Sequence, residues 1–156
     1  MKPGIIPIRR ALISVSEKSN LKNLASFLEG KGVEIVSTGG TANYLKKEGL
    51  KVKEVSDLTG FPEILNGRVK TLHPKIHAPI LFDRDDPVSA KELKKMGSEA
   101  IDLIVVNLYP FETILKNKAP RKDIIENIDI GGVALMRAAA KNFEHVMVIS
   151  DPGDYV

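Results

Sequence analysis

The sequence predicts an α/β fold in three layers, with a mostly parallel central sheet between helices. Three observations predict it. Strand-like apolar runs alternate with segments of helical period along the 156 residues. Ile101–Leu108 is an almost continuous apolar run, as a parallel strand buried on both faces requires. Hydroxyl and glycine residues gather just after the strand candidates, at the sheet edge where ligands bind in such folds.

The elements follow in order. Arg10–Val15 reads as a buried strand, and Asn20 offers a cap for a helix whose apolar positions are Leu21, Leu24, Phe27 and Leu28, stopped by Gly30 and Gly32. Glu34–Ser37 is a second strand. Thr41 opens a short helix through Leu45 that ends at Gly49, and Val52–Val55 is a third, short strand. The stretch from Asp57 to Ile80 has no regular period and is rich in Pro, Gly and basic residues. A helix with Pro87 in its first turn carries Leu93 and Met96 to Gly97. After the strand at Ile101–Leu108 come helical segments around Lys122–Ile128 and Val133–Lys141, then a last strand at Val146–Ile149.

The length suits one domain, and 43% hydrophobic residues suffice for a full core. With no cysteine, neither a disulfide nor a thiolate zinc site can form. The Met1–Arg10 stretch has no apolar run long enough for a signal peptide or membrane span, so the expected location is the cytoplasm. The net charge is +3, but Lys and Arg are interspersed with Glu and aromatics are only 5%, which argues against nucleic acid as partner. A locally basic pocket for an anionic small molecule fits better.

Three clusters carry the chemistry. Ser37-Thr38-Gly39-Gly40-Thr41 joins a strand to a helix, where two glycines expose backbone N–H groups and the helix start favours an anion. Alone it reads equally as a turn with Thr41 as helix cap; with Ser16 and Lys18 alongside, a phosphate site is favoured. It lacks the spacing of a Walker loop or a dinucleotide fingerprint.

Gly67–His77 alternates Arg68 and Lys70 about Val69, so an extended backbone would send both cations the same way. Its histidines, His73 and His77, are expected to be structural rather than metal ligands, because Pro74 disfavours a helical placement of the pair and no flanking carboxylate completes a set. In the third cluster, Asp129 precedes Gly131-Gly132 at the start of a small-residue helix carrying Arg137 and Lys141. Its carboxylate reads either as a helix cap or as a general base beside N–H groups able to hold an oxyanion.

Taken together, Ala11–Lys18, Ser37–Thr41, Val55–Glu63, Gly67–Pro74, Asn107–Phe111 and Asn127–Asn142 resemble the inosine monophosphate cyclohydrolase domain, the N-terminal half of a bifunctional purine biosynthesis protein, in order and spacing. Glu17 stands where that family usually has Asp, and Ala78-Pro79 follow His77 where a small or glycine-containing pair is common. The resemblance implies a methylglyoxal-synthase-like fold and closure of 5-formamidoimidazole-4-carboxamide ribotide to inosine monophosphate with loss of water. No redox step or phosphoryl transfer occurs, so no cofactor and no metal is implied.

The resemblance further implies Asp129 as base, Lys70 at the oxyanion or leaving hydroxyl with N–H donors from Ile130 and Gly131, and Tyr109 and Lys141 in proton handling and positioning. Ser14, Ser16, Lys18, Thr38, Gly39, Gly40 and Thr41 would hold the 5′-phosphate, and Arg68, Thr71, Asn107 and Gly132 would line the nucleotide pocket. Members form homodimers, often through a second, transformylase domain. The sequence ends at Val156 without a counterpart of it, so residues 1–156 are expected to be a single cyclohydrolase domain with no folate chemistry. Two rivals share the phosphate loop: a methylglyoxal synthase-type lyase and a regulatory nucleotide-binding module.

Overall fold

The alternation within Arg10–Val15 (β1) sets the two faces of the molecule, which a computed structural model describes over residues 6–155. The part of the Met1–Arg10 reading that falls on residues 1–5 lies outside the described residues. Ala11, Ile13 and Val15 point to one face and pack with Leu21, Leu24, Ala25 and Leu28 of α1 (Leu21–Gly30) and Leu45 of α2 (Gly39–Lys47). Leu12 points to the other face. It joins Val55 of α3 (Val55–Thr59), Ile76 and Ile80 of α4 (Pro74–Leu81), and Leu135, Ala138 and Ala139 of α8 (Gly131–Lys141). A period of two thus builds both cores from a single strand.

The remaining strands are β2 (Glu34–Ser37), β3 (Val52–Glu54), β4 (Leu103–Asn107) and β5 (Met147–Ile149), in the order β3-β2-β1-β4-β5 with every pairing parallel. The predicted α/β class and parallel sheet are therefore found. The apolar run at 101–108 became β4, which is flanked on both sides; the middle of the sheet belongs to β1. At the amino end of the strands, buried Asp102 accepts the N–H groups of Arg9 and Arg10 at 2.7 and 2.9 Å and pairs with Arg84 at 2.8 Å.

Several boundaries differ from the sequence expectation. Helix α2 starts at Gly39, with Thr38 as N-cap, rather than at Thr41, and Val55 leaves its strand to open α3. The irregular stretch contains α3, a 3-10 turn at Leu65–Gly67 and α4. Pro74 does not exclude a helix; it begins one, at the position where a missing N–H costs nothing. His73 is the N-cap of α4, its Nδ1 accepting the Lys75 N–H at 3.1 Å, and His77 lies inside the helix. Helices α5 (Pro87–Lys95) and α7 (Arg121–Glu126) fall near their expected places, while α6 (Phe111–Lys116) had no expected counterpart.

Candidate functional site

A cavity of about 710 Å³ opens beyond the carboxyl ends of β1 and β2. Loops from four parts of the chain line it, and the local structure of each explains what it offers.

The end of β1 contributes Ser14, and the loop after it Ser16 and Lys18. Asn107, at the end of β4, holds that loop: its Oδ1 accepts the N–H groups of Ser16 at 2.7 Å and Glu17 at 2.9 Å, and its Nδ2 donates to the Glu17 carbonyl at 3.0 Å. Asn107 stands behind that loop and does not itself line the cavity. Lys18 Nζ donates to the Ser16 carbonyl at 3.1 Å.

Between β2 and α2, Thr38, Gly40 and Thr41 face the cavity. Ser14 Oγ and Thr38 Oγ1 stand 3.4 Å apart. Thr41 Oγ1 donates to the Val15 carbonyl at 2.9 Å and accepts the Val15 N–H at 3.2 Å, so its hydroxyl closes on β1. Thr41 lines the cavity, but its hydroxyl proton is committed to the Val15 carbonyl. Among the described residues the N–H groups of Gly39 and Gly40 have no hydrogen-bond partner, and they head an α-helix, which is the arrangement that accepts an anion. Gly39 is not in the lining but abuts it, with φ +45° and the site of a missing Cβ 3.3 Å from Lys70 Nζ.

The third wall is the loop over residues 63–71. An antiparallel bridge joins Ile64 to Val69, and Leu65, Asn66 and Gly67 turn the chain with φ of 53°, 55° and 84°. Asn66, Arg68, Lys70 and Thr71 line the cavity. Lys70 Nζ lies 3.5 Å from Glu63 Oε1, with the lysine side chain 27% exposed. Glu63 was not anticipated as a site residue, although a hairpin reading would have placed it opposite Lys70, since residues 63 and 70 flank the bridged pair 64 and 69. Arg68 is hydrogen-bonded to Glu126 of α7, and that guanidinium holds the Glu126 carboxyl below its ordinary pKa. Arg68 and Lys70 therefore reach different acidic partners.

The fourth wall runs over Ile125–Gly132 into α8, with Tyr109 nearby and 47% exposed. Asp129 Oδ1 accepts the Gly132 N–H at 2.7 Å, so the capping role is realised through one carboxylate oxygen. Among the described residues Asp129 Oδ2 accepts no hydrogen bond, and the N–H groups of Ile130 and Gly131 donate none. Gly131 must lack a side chain for this approach, because a Cβ there would lie 2.8 Å from buried Thr71 Oγ1. Lys141 is not brought to the cavity. It is the last residue of the 11-residue α8, and at 1.5 Å per residue that is about 15 Å along the helix from Gly131.

The histidines stand apart from this wall. Burial lowers the pKa of His77 below its ordinary value, opposed by a hydrogen bond with the Thr71 backbone. Asp129, Lys70 and the Thr38–Gly40 turn thus share one cavity, with Arg68, Thr71, Tyr109 and Gly132 around it.

The model of the MGS-like domain matches residues 20–134. Among curated proteins, the bifunctional purine biosynthesis protein PurH of Mesorhizobium japonicum is 54% identical over 153 residues, covering 98% of this chain and 28% of that protein. PurH of Ruminiclostridium cellulolyticum is 56% identical over 149 residues, covering 95% and 29%, and PurH of Elusimicrobium minutum is 59% identical over 150 residues, again covering 95% and 29%. The chain spans less than a third of the length of these relatives. The crystal structure of ForH superposes with a TM-score of 0.80 at 38% identity, covering 94% of this chain and 74% of that one.

Proposed function

This chain belongs to the MGS-like domain family, and from that premise we propose that it is an inosine monophosphate cyclohydrolase, closing the ring of 5-formamidoimidazole-4-carboxamide ribotide with release of water. The observation that carries the proposal is the common cavity of Lys70, Asp129 and the Thr38–Gly40 turn. The relatives named above support it, each being a bifunctional purine biosynthesis protein matched over under a third of its length.

The substrate's 5′-phosphate sits against the N–H groups of Gly39 and Gly40, with hydroxyls of Ser14, Ser16 and Thr38 and the Lys18 ammonium completing the grip. The carboxamide nitrogen is a weak nucleophile because its lone pair is delocalised. Asp129 Oδ2, the oxygen the helix cap leaves free, takes a proton from it as the nitrogen bonds to the formyl carbon. The formyl oxygen then gains negative charge, which the Lys70 ammonium and the N–H groups of Ile130 and Gly131 stabilise. Protonated to a hydroxyl, that oxygen leaves as water with the proton given up by the formamido nitrogen, which then forms the purine's carbon–nitrogen double bond to the former formyl carbon. Tyr109 faces the same cavity and assists these transfers. Nothing is oxidised or reduced, and every proton taken from nitrogen leaves in the water.

A cytoplasmic location and a homodimer belong to the same reading. Exposed Leu65, Ile125, Ile128 and Ile130 beside the cavity offer apolar surface for a second copy to cover, and sedimentation measures the assembly. That residues 1–156 fold as one cyclohydrolase domain is likewise part of it. The test is to incubate the purified chain with the formamido ribotide, without folate, and follow purine absorbance. Ring closure supports the proposal; phosphate release from dihydroxyacetone phosphate would favour the lyase, and tight nucleotide binding without turnover the regulatory module.

A further inference from the structure

We propose that Asp83, Asp85 and His145 form a binding site for one divalent first-row metal ion, best matched by zinc, away from the cavity. The ligand atoms of these three residues lie within 4.8 Å of one another. They come from two separate places, the turn between α4 and α5 and the turn that follows α8, so the ion would clip the two together. Both turns lie past the carboxyl-terminal end of α8, whereas the cavity lies at its amino end.

The imidazole is set up as a ligand. Asn142 Nδ2 donates to the carbonyls of Ile80 at 2.8 Å and Phe82 at 3.0 Å. Carbonyls only accept, so the amide nitrogen must face them and its oxygen must face His145. Asn142 Oδ1 is 3.1 Å from His145 Nδ1, which therefore carries the proton. The ring nitrogen left to bind a metal is then Nε2, turned toward the Asp85 carboxylate. A second group that fixes the tautomer and aims the ring is what a metal-bound histidine requires. The His145 side chain is only 11% exposed, while that of Asp85 is 78% exposed, so the ring is held and the carboxylate can adjust.

The His145–Asp85 spacing already matches the ion, and Asp83, within 4.8 Å of both, has only to close in. Two atoms each about 2 Å from a tetrahedral zinc stand about 3.3 Å apart, and His145 Nε2 is 3.4 Å from Asp85 Oδ2. Asp83 supplies the third ligand and solvent the fourth.

The carboxylates are also free for the role. Arg84, between them in sequence, turns inward to Asp102 and the Ile101 carbonyl. Among the described residues no Lys or Arg pairs with Asp83 or Asp85. The turn is pinned as well: Asp83 Oδ1 accepts the Asp85 N–H at 2.9 Å, Ser89 Oγ accepts the Asp83 N–H at 3.0 Å, and Asp86 caps α5.

This inference does not depend on the proposed reaction. The test titrates the chelator-treated chain with zinc chloride by calorimetry, with cobalt chloride as a coordination probe, beside Asp83→Asn and His145→Gln. Asp83→Asn keeps the oxygen that accepts the Asp85 N–H and is the deciding variant should His145→Gln fail to fold. The expected result is one zinc per chain, a rise in Tm of about 5 °C or more at a hundredfold excess over Kd, tetrahedral cobalt absorption, and binding at least about tenfold weaker in each folded variant. No saturable binding, or equal binding by wild type and Asp83→Asn, would overturn the site and leave only a His145–Asp85 ion pair.

Discussion

Glu63 Oε1 stands 3.5 Å from Lys70 Nζ, and the pair fills the space that side chains at Gly39 and Gly67 would need. A Cβ at Gly67 would meet Glu63 Oε1, and one at Gly39 would lie 3.3 Å from the lysine nitrogen. Two glycines in different loops thus leave room for one ion pair, which sets where the lysine's charge sits. Replacing Glu63 with Gln keeps the shape and removes the charge. Turnover is expected to fall about tenfold through misplacement of Lys70, with Tm little changed because the pair is partly exposed. Steady-state kinetics beside a melting curve checks both; unchanged kcat would detach Glu63 from the site.

Thr38 and Thr41 are expected to respond in opposite ways. Thr41→Val breaks two buried hydrogen bonds to Val15 and should cost about 1–3 kcal/mol of stability. Thr38→Val, whose hydroxyl has among the described residues only the 3.4 Å contact with Ser14, should instead raise KM for the phosphorylated substrate with a smaller change in stability. Chemical denaturation and KM measured on both variants separate the roles.

Asp102 gives a stability test remote from the cavity. It is 4% exposed and takes two backbone N–H groups as well as Arg84. Asp102→Ala should destabilise by about 3–5 kcal/mol, because two backbone amides lose their acceptor and the half-buried Arg84 keeps only the Ile101 carbonyl. Urea unfolding measures it, and kcat of the folded fraction is expected to stay at the wild-type value.

His77 links stability to pH. Its folded-state pKa is depressed by burial below the ordinary 6.5, so the folded state prefers the neutral ring. The contribution is complete above the unfolded value and is lost as pH falls through about 6.5 toward the folded value. Urea unfolding between pH 7.5 and pH 5 should show a steeper loss in the wild type than in His77→Gln; parallel curves would contradict it.

How legible all this was in the sequence varied with the kind of signal. The strands of the sheet are readable because apolar runs such as Leu103–Val106 are buried on both faces, and the cavity-lining turn after β2 because glycines and hydroxyls stand directly after that strand. Helix α4 is hard to see in the sequence because Pro74 looks like a breaker although it occupies the first helical position, and because an eight-residue helix shows little period. Side-chain commitments were not readable: Thr41 and Asn107 are polar residues at the right edge, but their hydrogen bonds turn back onto the scaffold. Glu63 was hidden by the unrecognised Ile64–Val69 bridge, and Lys141 was placed by resemblance while α8 carries it away from the cavity.

The most direct measurement is the single-turnover rate of Asp129→Asn with the formamido ribotide. Asparagine keeps an oxygen for the Gly132 N–H, so the α8 cap and the fold should survive while the base is lost. The expected result is ring closure slowed by about 10²–10⁴ with substrate still bound. Closure at the wild-type rate would contradict the assignment of Asp129 and with it the mechanism built on the shared cavity.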